Sequence, residues 1–267
     1  MPLLDVDGLT VSYEGHGERV VAVDDAHLSL ETGEILAVVG ESGSGKSSLA
    51  LAITRLLPSP PAVISARAIR FQGADLLHAS EETLRAIRGG KIAYVFQDPA
   101  TSLNPVLTIG EQLREMIERH TDRRGRDADA LAVEWLSRVG IPSPEARLGA
   151  YPHEFSGGMQ QRVMLAMAMA ARPALLIADE PTTALDVTIQ LQLLRLLRDL
   201  QQRLGLSLLL ISHDLTVVER LAHRVAIMER GKIVEYGPVQ QVLREPAHPY
   251  TKALLACRLK ALRPKRA

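Results

Sequence analysis

Gly40-Glu41-Ser42-Gly43-Ser44-Gly45-Lys46-Ser47 fits the pattern G-x-x-x-x-G-K-[ST]. The apolar run Ile35-Leu36-Ala37-Val38-Val39 precedes it, and a helix-like segment from Ser48 to Leu57 follows. Strand, glycine-rich loop and helix, in that order, form the context of a phosphate-binding loop. Glycines let successive backbone N–H groups turn inward around an anion, where a Cβ would intrude. The helix that follows directs its partial positive end at the same anion. Residues Gly40 to Ser48 are therefore expected to hold a nucleoside triphosphate. Lys46 would reach the outer phosphates, and Ser47 would place its hydroxyl on a magnesium ion.

The rest of the chain is compatible with such a protein and excludes several others. At 267 residues it can bury a substantial core. Lys plus Arg and Asp plus Glu both total 31, so no global charge favours a nucleic-acid partner. A single cysteine, Cys257, rules out an intrachain disulfide framework and suits a reducing compartment. No run of about 20 apolar residues is present, and Met1-Pro2-Leu3-Leu4-Asp5 has no basic-then-apolar signal character. A soluble protein is expected, acting on a membrane only through a partner.

Residues 3–7 and 20–30 read as antiparallel strands around a polar turn from Glu14 to Glu18. Short strands are expected at 68–71 and 91–96, with a helix at 81–88 between them. Pro99 to Pro105 reads as a loop, and helical periodicity then dominates to about Ala171. Strand patterns resume at 174–178, 207–211, 224–228 and 232–235, with a helix from Thr188 to Leu204. Alternating strands and helices predict an α/β fold built on a mostly parallel sheet. An antiparallel β subdomain precedes it, and a helical insert at about 98–170 interrupts it. The expected division is a nucleotide-binding domain over 1–245 and a separate tail over 246–267. The mixed-sign charge cluster between Glu118 and Asp129 reads as a solvated surface loop.

A second chemical element is Leu175-Leu176-Ile177-Ala178-Asp179-Glu180. An apolar strand buried on both faces delivers two carboxylates at its C-terminal end, where open α/β sheets place ligands. Asp179 suits the magnesium shell, through water, because magnesium keeps much of its hydration. Glu180, one residue on, can point at an attacking water and act as its base or orienter.

Phe155-Ser156-Gly157-Gly158-Met159-Gln160-Gln161-Arg162 closely resembles the signature sequence of ATP-binding cassette (ABC) ATPases. The usual core is LSGGQ; here Phe155 replaces the Leu and Met159 the Gln. The resemblance implies that Ser156, Gly157 and Gly158 reach across a dimer to the γ-phosphate held by the partner's phosphate loop. It assigns further roles by order and spacing over residues 11–214. Tyr13 matches the aromatic that stacks on adenine. Gln97, in Val95-Phe96-Gln97-Asp98-Pro99, matches the glutamine that touches magnesium and the attacking water. Asp186, in Pro181-Thr182-Thr183-Ala184-Leu185-Asp186, matches the acid of the loop that contacts the opposite subunit. His213, in Ile211-Ser212-His213-Asp214, matches the histidine near the γ-phosphate.

Two stretches are similar to one branch of that family, the ATPases of oligopeptide and dipeptide importers. They are Val95 to Pro105 and the tail Arg244-Glu245-Pro246-Ala247-His248-Pro249-Tyr250-Thr251-Lys252-Ala253-Leu254-Leu255. The branch also includes nickel, metallophore and glutathione importers. The resemblance implies an ATPase using ATP and Mg2+ at the cytoplasmic face of the cell membrane. It implies two transmembrane permease subunits and an extracytoplasmic substrate-binding protein as partners. A second ABC ATPase completes the motor, with a heterodimer favoured and a homodimer permitted. No nucleic-acid partner is expected. With one cysteine, an iron–sulfur cluster held by four thiolates is not expected either. The basic end (Arg258, Lys260, Arg263, Lys265, Arg266) reads as a solvated tail. The competing reading is a soluble, non-transport ABC ATPase of repair or translation. Such proteins usually carry tandem cassettes, a long coiled coil or zinc motifs, and none is seen here.

Overall fold

The N-terminal strand β1 (Leu4–Gly15) turns back on β2 (Glu18–Leu30), pairing antiparallel from Leu4 opposite Leu30 to Gly15 opposite Glu18. The computed structural model describes residues 1–15, 18–183 and 185–261. The chain folds as two units, one formed by residues 1–79 and 209–267 and the other by 80–208.

In the first unit, β1 is the hub of an antiparallel sheet. Its register slips between Val6 and Leu9, Leu9 and Val11, and Val11 and Ser12. Such bulges bend a strand and change its partner, and two partners take up the other edge of β1. Thr10 to Tyr13 pair with β4 (Ala62–Ser65), and Leu4 to Asp7 pair with β5 (Ala68–Phe71), which continues into β6 (Ala74–Asp75). A second layer is built on β3 (Ile35–Val39), whose five residues are all buried. That continuous apolar run is the pattern of a strand covered on both faces. Its neighbours are β9 (Ser207–Ser212, of which 209–212 belong to this unit) and β10 (Arg224–Glu229), the latter parallel. β11 (Lys232–Pro238) closes the edge antiparallel to β10. Helices α1 (Lys46–Ile53), α9 (Leu215–Leu221), α10 (Val239–Arg244) and α11 (Pro249–Ala261) complete the unit.

In the second unit, β7 (Ile92–Val95) pairs in parallel with β8 (Leu175–Asp179), and α2 (Glu81–Ile87) leads into β7. Between the two strands lie α3 (Pro99–Ser102), α4 (Ile109–His120), α5 (Arg126–Arg138), α6 (Pro144–Arg147) and α7 (Gly157–Ala170). After β8 comes the long α8 (Val187–Leu204), ended by Gly205 in the left-handed region. Leu113 and Ile117 of α4, Ala132 and Trp135 of α5, and Val163 of α7 are all fully buried, so the amphipathic α4 and α5 share an apolar core with the largely buried α7.

The fold class is the expected one: α/β, with a phosphate-loop core, an antiparallel N-terminal sheet and an inserted set of helices. Several boundaries differ. β1 continues through Glu14 to Gly15, because its pairing with β2 runs to the last residue before the turn. The helix after the phosphate loop ends at Ile53 instead of Leu57; Arg55 takes a left-handed backbone (φ 52°), which stops helical hydrogen bonding. Pro99 to Pro105 contains a helical turn at its start, with Pro99 at a first-turn position where a missing N–H costs nothing. Strands β4 and β6 were not legible, being short and weakly patterned. The basic end beyond Ala261, and Ala184, fall outside the described residues.

Candidate functional site

In the first unit, β3 delivers the chain into the phosphate loop and α1 carries it away. Gly45 marks the turn from loop to helix with φ 102°, a region that a side chain disfavours, and a Cβ there would come within 2.0 Å of the Ala22 carbonyl oxygen. Only glycine fits. α1 then starts at Lys46 with no side chain capping its first amides. A helix N-terminus of this kind is suited to an anion. The Lys46 ammonium is almost wholly buried and donates to the carbonyls of Gly40 at 2.9 Å and Glu41 at 2.8 Å. The loop is braced internally, with Ser44 N–H donating to Glu41 O, and externally, with Gly231 N–H donating to Ser44 O at 2.9 Å.

Tyr13 of β1 is joined to the helix after the loop: its hydroxyl lies 3.0 Å from Ser48 Oγ. The two residues expected at opposite ends of one nucleotide are thus neighbours here. Ser42 and Gly43 are at the loop's outer surface, Ser42 exposed. His213 is exposed just past the end of β9, where Asp214 caps α9 by accepting from Thr216 N–H at 2.7 Å.

In the second unit, β8 ends in the two carboxylates. Asp179 is buried and accepts a hydrogen bond from the Tyr94 hydroxyl at 2.9 Å. Burial, together with that carboxylate, raises the Tyr94 pKa far above the ordinary tyrosine value, so Tyr94 stays a donor at any working pH. Glu180 takes a left-handed backbone (φ 47°). Its Oε2 accepts from Gln97 Nε2 at 3.2 Å and from Thr183 Oγ1 at 2.9 Å. The structure therefore brings Gln97 and Glu180 together, 83 residues apart in sequence. Two donors on one carboxylate oxygen keep its orientation fixed.

Ser156 caps α7, its hydroxyl accepting from Met159 N–H at 3.4 Å. Gly158 lies where α7 meets α8: a Cβ would stand 2.7 Å from Ile189 Cγ2. The position next to it, Gly157, faces open space. Asp186 caps α8, accepting from Ile189 N–H at 2.9 Å. One contact between helix starts thus holds the Ser156-Gly157-Gly158 turn beside the Asp186 cap.

Three contributors escaped the sequence reading. Tyr94 sits on β7 just before the stretch that begins at Val95, and nothing in that stretch points to its hydroxyl. Thr183 lies inside a quoted loop but gave no sign that its hydroxyl reaches back to Glu180. Tyr250, from the C-terminal segment, accepts from Glu41 N–H of the phosphate loop at 3.2 Å, a contact over 209 residues. Nothing local in a sequence signals such a pair.

The uncapped helix behind a glycine loop, the lysine folded onto that loop and the paired acidic strand end define a phosphate-loop nucleoside triphosphatase. The chain belongs to the ABC transporter family, whose model matches residues 23–183. The model of the oligopeptide/dipeptide transporter C-terminal region matches residues 234–267. The oligopeptide transport ATP-binding protein OppD of Bacillus subtilis is 50% identical over 254 residues, covering 95% of this chain and 71% of that protein. The dipeptide transport ATP-binding protein DppD of Escherichia coli is 48% identical, covering 96% and 78%. The peptidoglycan transport ATP-binding protein YejF of Agrobacterium fabrum is 53% identical over 96% of this chain, which spans 47% of that longer protein. Among solved structures, the ATP-binding cassette MJ0796, in a dimeric post-hydrolysis state bound to ADP and Pi, superimposes with a TM-score of 0.79 at 26% identity. It covers 88% of this chain and 98% of its own. The chain is thus an ATP-binding, ATP-hydrolysing component of an ABC transporter, and the soluble repair or translation reading is set aside.

Proposed function

We propose that this chain powers the import of dipeptides, oligopeptides or a related small solute. The observation that carries the reading is the joining, in one chain, of an ABC cassette and a peptide-transporter C-terminal region. Relatives named for oligopeptide and dipeptide transport, about half identical over most of their length, support it.

In this reading Gly40 to Ser48 hold the triphosphate of ATP, with Lys46 on its outer phosphates and Tyr13 against adenine. Glu180 polarises and orients the attacking water. The donors from Gln97 and Thr183, which fix its carboxylate, support that role. His213 acts near the γ-phosphate. Magnesium would meet the hydroxyl of Ser47, the amide oxygen of Gln97 and the carboxylate of Asp179. These hard oxygen donors fit an ion that arrives on phosphates and retains water. No group of three His, Cys, Asp or Glu side chains suited to a metal occurs among the described residues, and a phosphate-borne ion does not need one. When bound, the ion would neutralise charge on the phosphates.

Two cassettes close head to tail, with Ser156, Gly157 and Gly158 of each on the ATP of the other and Asp186 at the junction. The second cassette is a different ABC ATPase, a second copy of this chain being the alternative. ATP binding closes the pair and hydrolysis opens it, which supplies the differential binding that a driven conformational change requires. Two transmembrane permease subunits receive that motion, and an extracytoplasmic binding protein presents the solute. Among the described residues no helix is long and apolar enough to cross a membrane. Attachment at the cytoplasmic face through the permeases follows from this reading, with residues 1–245 as the cassette and 246–267 as its tail.

Removing the coding sequence from its host should abolish uptake of labelled di- and oligopeptides. Wild-type protein should restore uptake, and Glu180→Gln should not. Undiminished uptake of every peptide length in the deletion strain would contradict the proposed substrate class.

A further inference from the structure

The peptide group between Gly40 and Glu41 is gripped at both ends. On one side Lys46 Nζ donates to its carbonyl oxygen, Gly40 O, at 2.9 Å. On the other its N–H, that of Glu41, donates to Tyr250 Oη at 3.2 Å. A cation on the carbonyl draws electron density through the amide and makes the N–H a stronger donor, so the two bonds reinforce each other. We propose that Tyr250 is a positioning residue for the nucleotide site, holding the first turn of the phosphate loop and, through the Gly40–Glu41 peptide, the Lys46 ammonium.

Tyr250 is itself fixed from several sides. Its backbone N–H donates to His248 Nδ1 at 3.2 Å. The preceding turn is tied to β11: the Glu235 carboxylate accepts from Ala247 N–H at 2.8 Å and from His248 N–H at 3.1 Å. Thr251, the next residue, is fully buried. The segment His248-Pro249-Tyr250-Thr251 is thus a strap between β11 and the phosphate loop, both within one unit. Burial, helped by the Glu41 and Glu229 carboxylates, raises the Tyr250 pKa, and it remains a neutral phenol at physiological pH. The strap pre-shapes the empty loop for its ligand.

The inference rests on the reading of Gly40 to Ser48 as the ATP loop, and the test separates the two. Full-length wild type, Tyr250→Phe and Lys46→Ala would be compared for ATP affinity, kcat, KM, thermal stability and amide exchange at Glu41. Loss of about one neutral hydrogen bond corresponds to a roughly two- to tenfold effect. Tyr250→Phe should raise the KM and Kd for ATP by that factor, with kcat within twofold and the melting temperature lowered by no more than about 4 °C. Exchange at Glu41 should quicken while that of Leu36 to Val39 does not. Unchanged KM and unchanged Glu41 exchange in Tyr250→Phe, with wild type binding ATP and Lys46→Ala failing to, would overturn the role of Tyr250 and leave the loop assignment standing. Equal ATP affinity in wild type and Lys46→Ala would instead overturn the loop assignment itself, and the inference with it.

Discussion

Glu180 is held in a backbone conformation (φ 47°) that residues with a Cβ seldom adopt. Such strain persists where the surroundings over-determine it, and here the Thr183 and Gln97 donors do so. Glu180→Gln should keep that geometry and the affinity for ATP while lowering the rate of phosphate release by about 10²- to 10⁴-fold. A steady-state ATPase assay beside a nucleotide-binding titration checks both halves, and near-normal turnover would remove Glu180 from the chemistry. Tyr94→Phe removes the hydroxyl that serves the buried Asp179 carboxylate. It should lower stability by about 1.5–3 kcal/mol, the range for a hydrogen bond to a charged group, as read from the urea midpoint. At this scale the local motifs placed Lys46 at the start of α1 and Glu180 just past the end of β8, while Thr183, inside another such stretch, gave no sign of its contact. Tyr94 and Tyr250 were invisible because their partners lie 85 and 209 residues away, and only the fold brings them close.

At the scale of elements, α4 shows how local chemistry sets a boundary. Thr108 Oγ1 accepts from Glu111 N–H at 3.2 Å, and the Glu111 carboxylate accepts from Thr108 N–H at 2.7 Å, a reciprocal capping box. Thr108→Ala should cost about 1 kcal/mol, measurable as a lower urea midpoint at neutral pH. The backbone N–H of Thr108 and then its hydroxyl lower the Glu111 pKa. A depressed folded-state pKa means the contribution is present above the unfolded value and is lost as pH falls through the folded one. The gap in midpoint between wild type and Thr108→Ala should accordingly narrow as pH drops from 7 to below about 4, the ordinary range of a glutamate. A constant gap would show that the Thr108 hydroxyl does not act on the carboxylate. The strands β3 and β8 were readable from their continuous apolar runs and the amphipathic α8 from its periodicity. By contrast, α4 was expected only within a general helical stretch, and the expected loop from Glu118 to Asp129 is in part the end of α4 and the first turn of α5, which begins at Arg126. β4 and β6 were not legible. They are four and two residues long, and β4 is set by the bulges of β1 instead of by a pattern of its own.

For the whole molecule, no helix among the described residues is long and apolar enough to cross a membrane, and the proposed reading assigns passage of the solute to partner subunits. Balanced charge gave no sign of a nucleic-acid partner, and composition carries no mark of the substrate, whose choice the proposed reading assigns to other subunits. The most direct measurement is an affinity capture of tagged Glu180→Gln protein, with ATP present to hold the closed state, from detergent-solubilised host membranes. The account predicts recovery of two membrane subunits together with a second ABC ATPase, and loss of that recovery when Lys46→Ala is added. Recovery of ribosomes or DNA in their place, or of nothing from the membrane fraction, would contradict it.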